Sequence, residues 1–468
     1  MRLARHRSGT VVILLLLLAV ACNGSSQPDR SRPSAPPPVR TSSAQPTSPA
    51  TSPGAGADWP TYHGDTARTG HASVAPLRPP LHRAWTRHLD GAVYAQPIVV
   101  GDTVVVATEN NTLYALRAGD GGIRWRRHLG TPVPASALPC GNIDPTGITG
   151  TPAYDAQTHL VFAATETTGS VHTLHAVDLR TGRERWQRNL DVTGRDRAAE
   201  QQRGAVLVLH GRVYVAFGGR FGDCGDYVGY VTGVATSGRG RIDSYAVPTD
   251  REAGIWAPPG PVAGPGGEIY VASGNGAATG GRYDGSDSVI ALSPTLHRDQ
   301  LFAPTSWAQD NAQDLDLGSS SPVIVPGGHI VIAGKRGTVY LLAARRLGGI
   351  GGEVATLTGC AAYGGGATVG STVVLPCIDG IRALTVRDDR MHWRWRVAGV
   401  AGSPVIAGSV VYALDTAAGD LVEVGLGSGA VRTRIHVGEV TRFATPAPAG
   451  GHVFIGTVDG IVAVAGGG

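Results

Sequence analysis

Residues 94–129 read YAQPIVVGDTVVVATENNTLYALRAGDGGIRWRRHL, and this stretch decides the fold. It contains four short apolar runs, which Gly-Asp, Glu-Asn-Asn and Gly-Asp-Gly-Gly separate. Apolar runs that are rich in β-branched residues and bounded by turn formers are typical of antiparallel strands joined by hairpins. The stretch therefore predicts one four-stranded antiparallel sheet.

The same order of strands and turns recurs along the chain. Further copies occupy residues 148–190, 204–247, 256–303, 318–357, 364–397, 399–437 and 442–466. A repeated unit of four short strands, without long helical stretches, is the sequence pattern of a β-propeller blade. With the first copy, the count is eight. We therefore predict an all-β fold over residues 58–468, an eight-bladed β-propeller of four-stranded antiparallel blades.

The last copy is one strand short, because the chain ends soon after VFIGTVDGIVAVAG. Residues 81–89, LHRAWTRHL, are similar to the outer strand IRWRRHL of the first copy and supply the missing strand. Pairing of N- and C-terminal strands then closes the ring and hides a sheet edge. A tryptophan recurs on the outer strands, and we expect it to pack between blades rather than to bind a ligand. These residues are Trp85, Trp125, Trp186 and Trp395.

The N-terminus predicts export. A basic start, MRLARHR, precedes an apolar run that ends at Cys22 and is short for a membrane span of about 20 residues, so residues 1–21 indicate a signal peptide. The residues before Cys22 resemble the lipobox of bacterial lipoproteins, in which the cysteine is acylated. We expect a lipid anchor at Cys22 that holds the protein on the outer face of the cell membrane. Ala19 stands where the lipobox usually has leucine, so secretion as a soluble protein is the alternative.

Residues 22–57 form a tether in this interpretation. They are rich in Pro, Ser, Thr and Ala and have almost no large apolar side chains, so they cannot bury enough surface to fold. The formal net charge of +4 comes from arginines that precede residue 58, which leaves the propeller region near neutral. A nucleic-acid partner is therefore not expected, because such proteins carry a basic patch or stripe. We expect a monomer.

Four cysteines follow Cys22, and in an exported protein an even number indicates disulfides. Three pairings are possible. We favour Cys140 with Cys224, which ties neighbouring repeats, and Cys360 with Cys377, which lies within one repeat. No cysteine or histidine spacing indicates zinc.

The repeat as a whole resembles a known family. The shared pattern starts with a small residue two positions before Pro, continues through an apolar strand to a motif such as GTVYLL at 337–342, and leads through a Gly turn into a Trp strand. This pattern is similar to the repeat of the quinoprotein alcohol dehydrogenases and of non-enzymatic relatives, including the outer-membrane assembly propeller of Gram-negative bacteria. The resemblance implies the propeller fold, but many members carry the repeat without a quinone.

The resemblance also implies a set of site residues. In the dehydrogenases a tryptophan forms the floor under pyrroloquinoline quinone, and an asparagine about nineteen residues later ligates calcium; Trp256 and Asn275 match this spacing. A catalytic aspartate precedes a lysine or arginine that contacts the quinone oxygens, and Asp314 or Asp316 with Lys335 match it. Calcium would polarise the quinone carbonyl, and an ionised aspartate would accept the alcohol proton.

Three departures from the dehydrogenases weigh against a quinone enzyme. The chain has no adjacent cysteines, which in the dehydrogenases form a ring over the quinone. Only Asp223 or Asp226 is available for the third-blade carboxylate of the calcium site, and no tryptophan directly precedes Asp314. We therefore favour a non-enzymatic surface propeller without a cofactor, which binds a partner protein or a small ligand through its axial pocket and blade-tip loops. The alternative is a dehydrogenase of alcohols or sugars that depends on calcium and pyrroloquinoline quinone.

Overall fold

The computed structural model describes residues 58–467, so the signal peptide, Cys22 and the tether lie outside the described residues. Eight antiparallel sheets form a ring, which confirms the predicted eight-bladed propeller. From the inner to the outer strand, blades 1 to 4 are built from Ile98–Val100, Thr103–Ala107, Thr112–Arg117 and Ile123–His128; Ala153–Asp155, Leu160–Thr167, Val171–Asp178 and Glu184–Asn189; Leu207–Leu209, Arg212–Gly219, Tyr230–Ala235 and Asp243–Ala246; and Val262–Ala263, Ile269–Ala272, Val289–Leu292 and Arg298–Ala303.

Blades 5 to 8 repeat this plan, and the last one contains the N-terminal strand. They comprise Val323–Val325, His329–Ala333, Thr338–Ala343 and Ala355–Thr358; Ala367–Val369, Thr372–Cys377, Gly380–Arg387 and Arg390–Ala398; Val405–Ala407, Val410–Asp415, Asp420–Gly425 and Val431–His436; and Ala447–Ala449, His452–Thr457, Gly460–Ala465 and His82–His88. His82 pairs with Ala465 and His88 with Gly460, so the ring closes as the sequence predicts.

Short elements supplement the blades. Three two-residue strands extend blade 7, blade 3 and blade 4 respectively: His71–Ala72, Glu200–Gln201 and Gly349–Ile350. The helical segments are one α-helix, Trp307–Ala312, and the 3₁₀ turns Tyr62–Gly64, Ala135–Ala137 and Leu317–Ser319. None of the helices within residues 58–467 has the length and apolar character that a membrane crossing requires.

Each of the four repeated tryptophans binds its own blade to the following one, as predicted. The indole Nε1 of Trp85 donates to the carbonyl of Ala118 in blade 1 at 2.9 Å, and that of Trp125 donates to Leu179 in blade 2 at 2.7 Å. Trp186 and Trp395 make the same bond to the following blade. Each ring also covers a glycine turn of that blade, and a Cβ added there would come within 2.9 Å of the ring, at Gly121, Gly182, Gly238 and Gly429. The outer tryptophans are therefore structural.

Residues 58–72 close one end of the axial channel. Their backbone forms hydrogen bonds with the inner strands of five blades, through the residue pairs Trp59–Val99, Pro60–Tyr154, Thr66–Ala263, Thr69–Thr368 and Gly70–Ile406. Tyr62 is 1% exposed and His63 is fully buried, so solvent does not reach the axis from this side. This end carries the turns between the first and second strands of the blades, because Gly101 in such a turn donates to Asp58.

The two disulfides lie at the opposite, open end of the ring. Cys140 is bonded to Cys224 and Cys360 to Cys377, the pairing favoured from the sequence. Cys140 lies in the connection between blades 1 and 2, and Cys224 in the loop after the second strand of blade 3. The first disulfide thus fixes two long loops over the axis.

Candidate functional site

The open end of the axis leads into a cavity of about 480 Å³. Its walls come from the connections that enter the inner strands and from the loops that leave the second strands of the blades. Its aromatic lining is Tyr94, Phe221, Tyr227, Trp256, Tyr363 and Phe443, and its charged lining is Arg203, Arg220, Asp223, Asp314, Asp316, Lys335 and Arg442. A cavity of this volume is in the range of small-molecule sites, and its lining is about half polar.

Lys335 joins the two candidate aspartates. Its Nζ lies 2.5 Å from Oδ1 of Asp314 and 2.6 Å from Oδ2 of Asp316. Burial raises the pKa of Asp316 although the Lys335 ammonium opposes this shift. The same two carboxylates raise the pKa of Lys335 against the effect of burial, so the lysine is charged. The three residues form one ion-pair cluster in the wall of the cavity.

Trp256 lies beside this cluster, whereas Asn275 contributes through its backbone. The amide N–H of Asn275 donates to Oδ1 of Asp316 at 2.6 Å. The neighbouring Gly274 is required, because an added Cβ would overlap the Asp316 carboxylate and approach the Trp256 indole. The Asn275 side chain is not part of the cavity lining. The structure thus brings together Trp256, Asp314, Asp316 and Lys335, but not the side chain of Asn275.

These residues do not fit the calcium and quinone site of the dehydrogenases. Both oxygens of Asp316 are already engaged, by Lys335 and by the Asn275 amide. Asp223 reaches the cavity but accepts a hydrogen bond from the Tyr227 hydroxyl at 2.7 Å, and Asp226 is exposed outside the lining. Among residues 58–467 no group of three or more His, Cys, Asp or Glu side chains is arranged to hold a metal ion. Calcium prefers six to eight oxygen ligands, and the Asp316 oxygens could join such a set only by giving up their contacts with Lys335 and the Asn275 amide.

The cationic side of the cavity was not found from the sequence. Arg220 is buried in an ion pair with Glu166. Arg203 and Arg442 have no carboxylate within 4 Å in the described part of the chain. Instead, each guanidinium lies 5.9 Å from the centre of the Phe443 ring, and Arg442 also stacks on Tyr363 at 4.2 Å. These residues sit in blade connections, where the repeats share no motif, so periodicity gives no signal for them.

An eight-bladed propeller with an axial cavity open at one end is the class of protein that this fold and site define. The family model described as outer membrane protein assembly factor BamB matches residues 82–346, more than half of the chain. The protein therefore belongs to this family of PQQ-like repeat β-propellers. No curated protein matches the sequence significantly.

Solved structures of similar fold include enzymes and a non-enzyme. The quinohemoprotein alcohol dehydrogenase from Comamonas testosteroni aligns with 17% identity and a TM-score of 0.69, over 88% of this chain and 81% of its own. A europium-containing methanol dehydrogenase aligns with 15% identity and a TM-score of 0.68, over 88% and 98%. BamB from Moraxella catarrhalis aligns with 16% identity and a TM-score of 0.59, over 82% and 99%. At these identities the likeness concerns the fold alone.

Proposed function

We propose that this protein is a non-enzymatic binding propeller whose axial cavity takes a small ligand from the open end. The observation that carries the proposal is the combination of an aromatic and cationic cavity with two wall aspartates, Asp314 and Asp316, that are both paired with Lys335. The cavity volume of about 480 Å³ lies within the range of small-molecule sites. Residues 58–72 close its far end, so a ligand can enter only from the open end.

The state of the carboxylates favours binding over catalysis. A general base needs a lone pair that faces the proton it accepts. Asp316 has both oxygens engaged, and Asp314, although exposed, shares the Lys335 ammonium. A charged lysine between two aspartates stabilises the wall of the cavity and holds both carboxylates in ion pairs, which favours binding over proton abstraction.

We also propose that the protein acts at a surface, anchored through Cys22. The described chain begins at Asp58 on the closed end of the axis, where Asp58 accepts a hydrogen bond from Gly101. Asp58, the first described residue, therefore lies at the end of the axis opposite the cavity mouth. A ligand or a partner protein can reach the open end while the N-terminus is held at a membrane.

Ligand-observed NMR with a fragment library tests the proposal. Asn142 is an exposed residue of the cavity lining, and Asn142→Trp places a bulky side chain at the mouth. Gln157→Trp is the matched control, because Gln157 is exposed in a turn between the first and second strands of blade 2, at the closed end. We expect fragments to bind the native protein and the Gln157→Trp variant, and to lose binding in Asn142→Trp. Equal binding by all three proteins would refute the axial site.

A quinoprotein dehydrogenase is the second candidate. It is favoured by one observation, the convergence of Trp256, Asp316 and Lys335 on the same cavity. Titration of the purified protein with calcium and pyrroloquinoline quinone tests it. A change in the quinone absorption spectrum, together with dye-linked oxidation of an alcohol, would support this candidate over the first. No change in either readout would remove it.

A further inference from the structure

The inner end of the axial cavity is a small recess of about 20 Å³. Its lining is Tyr62, Tyr94, Thr149, Thr151, Arg203, Pro258 and Phe443. Tyr94, Arg203 and Phe443 also line the larger cavity, so the recess is its continuation toward residues 58–72. The volume is enough for one small polar group, because a single water needs about 10–15 Å³ by this measure.

Three hydrogen-bond donors line this recess, and one of them, the Nε of Arg203, is buried without an acceptor. The Nε of Arg203 is buried and has no partner in the described structure, while its Nη2 donates to Gln201 at 2.9 Å. The hydroxyl of Tyr94 makes no hydrogen bond within residues 58–467. Thr151 accepts from the amide of Gln96 at 2.9 Å, which leaves its own hydroxyl proton free. Buried donors without acceptors are costly, so a ligand that accepts hydrogen bonds would stabilise the recess.

Arg203 also has no carboxylate within 4 Å in the described part of the chain. Burial lowers the pKa of Arg203, and Glu109 is the carboxyl whose charge opposes this shift most. Glu109 forms no ion pair with Arg203, since its Oε2 accepts from the Gly147 amide and the Thr149 hydroxyl and its Oε1 is buried without a hydrogen-bond partner. Burial raises the pKa of Glu109 to about 7, so near neutral pH it is only partly ionised. The other enclosed cations of the cavity, Arg220 and Lys335, each have a carboxylate partner. An enclosed cation without such a partner is stabilised by an anionic ligand.

The larger cavity next to the recess can hold the aromatic ring of a ligand. The Phe443 ring lies between the recess and the mouth, and the Trp256 ring meets it edge-on with centres 6.2 Å apart. Arg442 and Tyr363 stack near the mouth. Aromatic rings favour offset or edge-to-face partners at 4.5–7 Å, so a flat ring of a ligand can pack beside Phe443 and Trp256.

We infer that the recess is a carboxylate subsite and that the ligand of the axial cavity is a small aromatic carboxylate. Its acid group accepts hydrogen bonds from Arg203, Tyr94 and Thr151, and its ring lies beside Phe443 and Trp256. The inference rests on the proposed function, because it assigns a ligand class to the same cavity.

Calorimetric titration of the full-length protein with a matched pair of probes, 2-naphthoate and 2-naphthamide, tests this inference. The two probes share one ring system and differ in charge. We expect the acid to bind at least about tenfold more tightly, since hydrogen bonds to charged groups contribute about 1.5–3 kcal/mol. Arg203→Gln should weaken binding of the acid about 10- to 100-fold and leave binding of the amide within about threefold. Tyr94→Phe, which removes only the hydroxyl, should weaken binding of the acid about three- to tenfold.

Arg180→Gln is the control, because Arg180 is exposed in a blade 2 turn away from the cavity and should leave both affinities unchanged. Arg203→Lys should retain part of the preference for the acid, because it keeps a cation. Equal affinities of the native protein for acid and amide would overturn the carboxylate subsite and leave the binding function standing. Binding of neither probe would count against the proposed function itself. If Arg203→Gln fails to fold, an unchanged acid affinity in Tyr94→Phe would still contradict the subsite.

Discussion

The Nζ of Lys335 lies 2.6 Å from Oδ2 of Asp316, and this ion pair balances the charge of a buried carboxylate in the wall of the axial cavity. Lys335 is the only lysine of the chain, and Asp316 is 5% exposed. A buried carboxylate that loses its cation is destabilised by several kcal/mol. The pair therefore holds the wall of the cavity together and occupies the carboxylate that a dehydrogenase would need.

Lys335→Met should lower the free energy of unfolding by about 3 kcal/mol. Because burial alone raises the pKa of Asp316, the variant should recover stability as the pH falls and Asp316 becomes protonated. The loss should thus be larger at pH 8 than at pH 5 in guanidinium denaturation. Asp314→Asn is the control and should cost less than about 1 kcal/mol, since Asp314 is exposed. An equal loss for Lys335→Met at both pH values would contradict the role of Asp316.

The sequence predicts the ring well because the same pattern of four strands and turns recurs in every blade. Trp85 and its counterparts recur at one position, and residues 81–89 carry the same pattern as an outer strand. Residues 58–72 could not be predicted, because they pack against the inner strands through unique contacts such as Trp59 with Val99. Arg203 and Phe443 were missed for the same reason. Trp256, Asp316 and Lys335 were found only through the family resemblance, which does not reveal that the lysine neutralises the aspartate.

The tryptophan between two blades leaves no room for a side chain on the glycine that its ring covers. Gly238 has a φ of 71°, and a Cβ there would lie 2.5 Å from the Trp186 ring. Gly240 has a φ of 83° and no atom within 4 Å of such a Cβ. Gly240→Ala should therefore cost about 1 kcal/mol from backbone strain, whereas Gly238→Ala should cost about 1–3 kcal/mol more. Thermal unfolding of both variants checks this prediction. Equal melting temperatures would show that the Trp186 side chain moves aside without loss of stability.

His172 should make stability depend on pH. It is fully buried, its Nδ1 lies 2.9 Å from Asp191, and its Nε2 lies 3.7 Å from Glu166. The hydrogen bond to Asp191 and the negative charges of Glu166 and Asp191 outweigh the effect of burial and raise the pKa of His172 to about 9. The charged imidazole then contributes about 3 kcal/mol, fully present below pH 6.5 and lost as the pH rises toward 9.

Unfolding of the native protein and of His172→Gln between pH 6 and pH 9.5 measures this contribution. The variant lacks the titrating group, so the stability difference between the two proteins should shrink as the pH rises. Glu109, whose pKa of about 7 lies in this range, is present in both proteins and its contribution largely cancels. A difference that stays constant over the whole range would show that His172 is neutral when folded.

Acylation of Cys22 predicts where the protein is found. In detergent phase partition, the native protein should enter the detergent phase, because acyl chains on one cysteine hold a protein at a membrane. Cys22→Ala should enter the aqueous phase or remain unprocessed. Ala19→Leu, which brings the sequence closer to the lipobox, should stay in the detergent phase. A processed Cys22→Ala protein that still partitions with detergent would exclude the lipid anchor.

A crystallographic fragment screen of the full-length protein tests the central claim most directly, because it shows where small molecules bind. The axial site predicts fragment density beside Phe443 and Trp256 in crystals of the native protein and of Gln157→Trp, and none there in Asn142→Trp. Fragments that bind only outside the axial cavity, or that occupy it equally in Asn142→Trp, would contradict the claim that this propeller is a binding protein with its site on the axis.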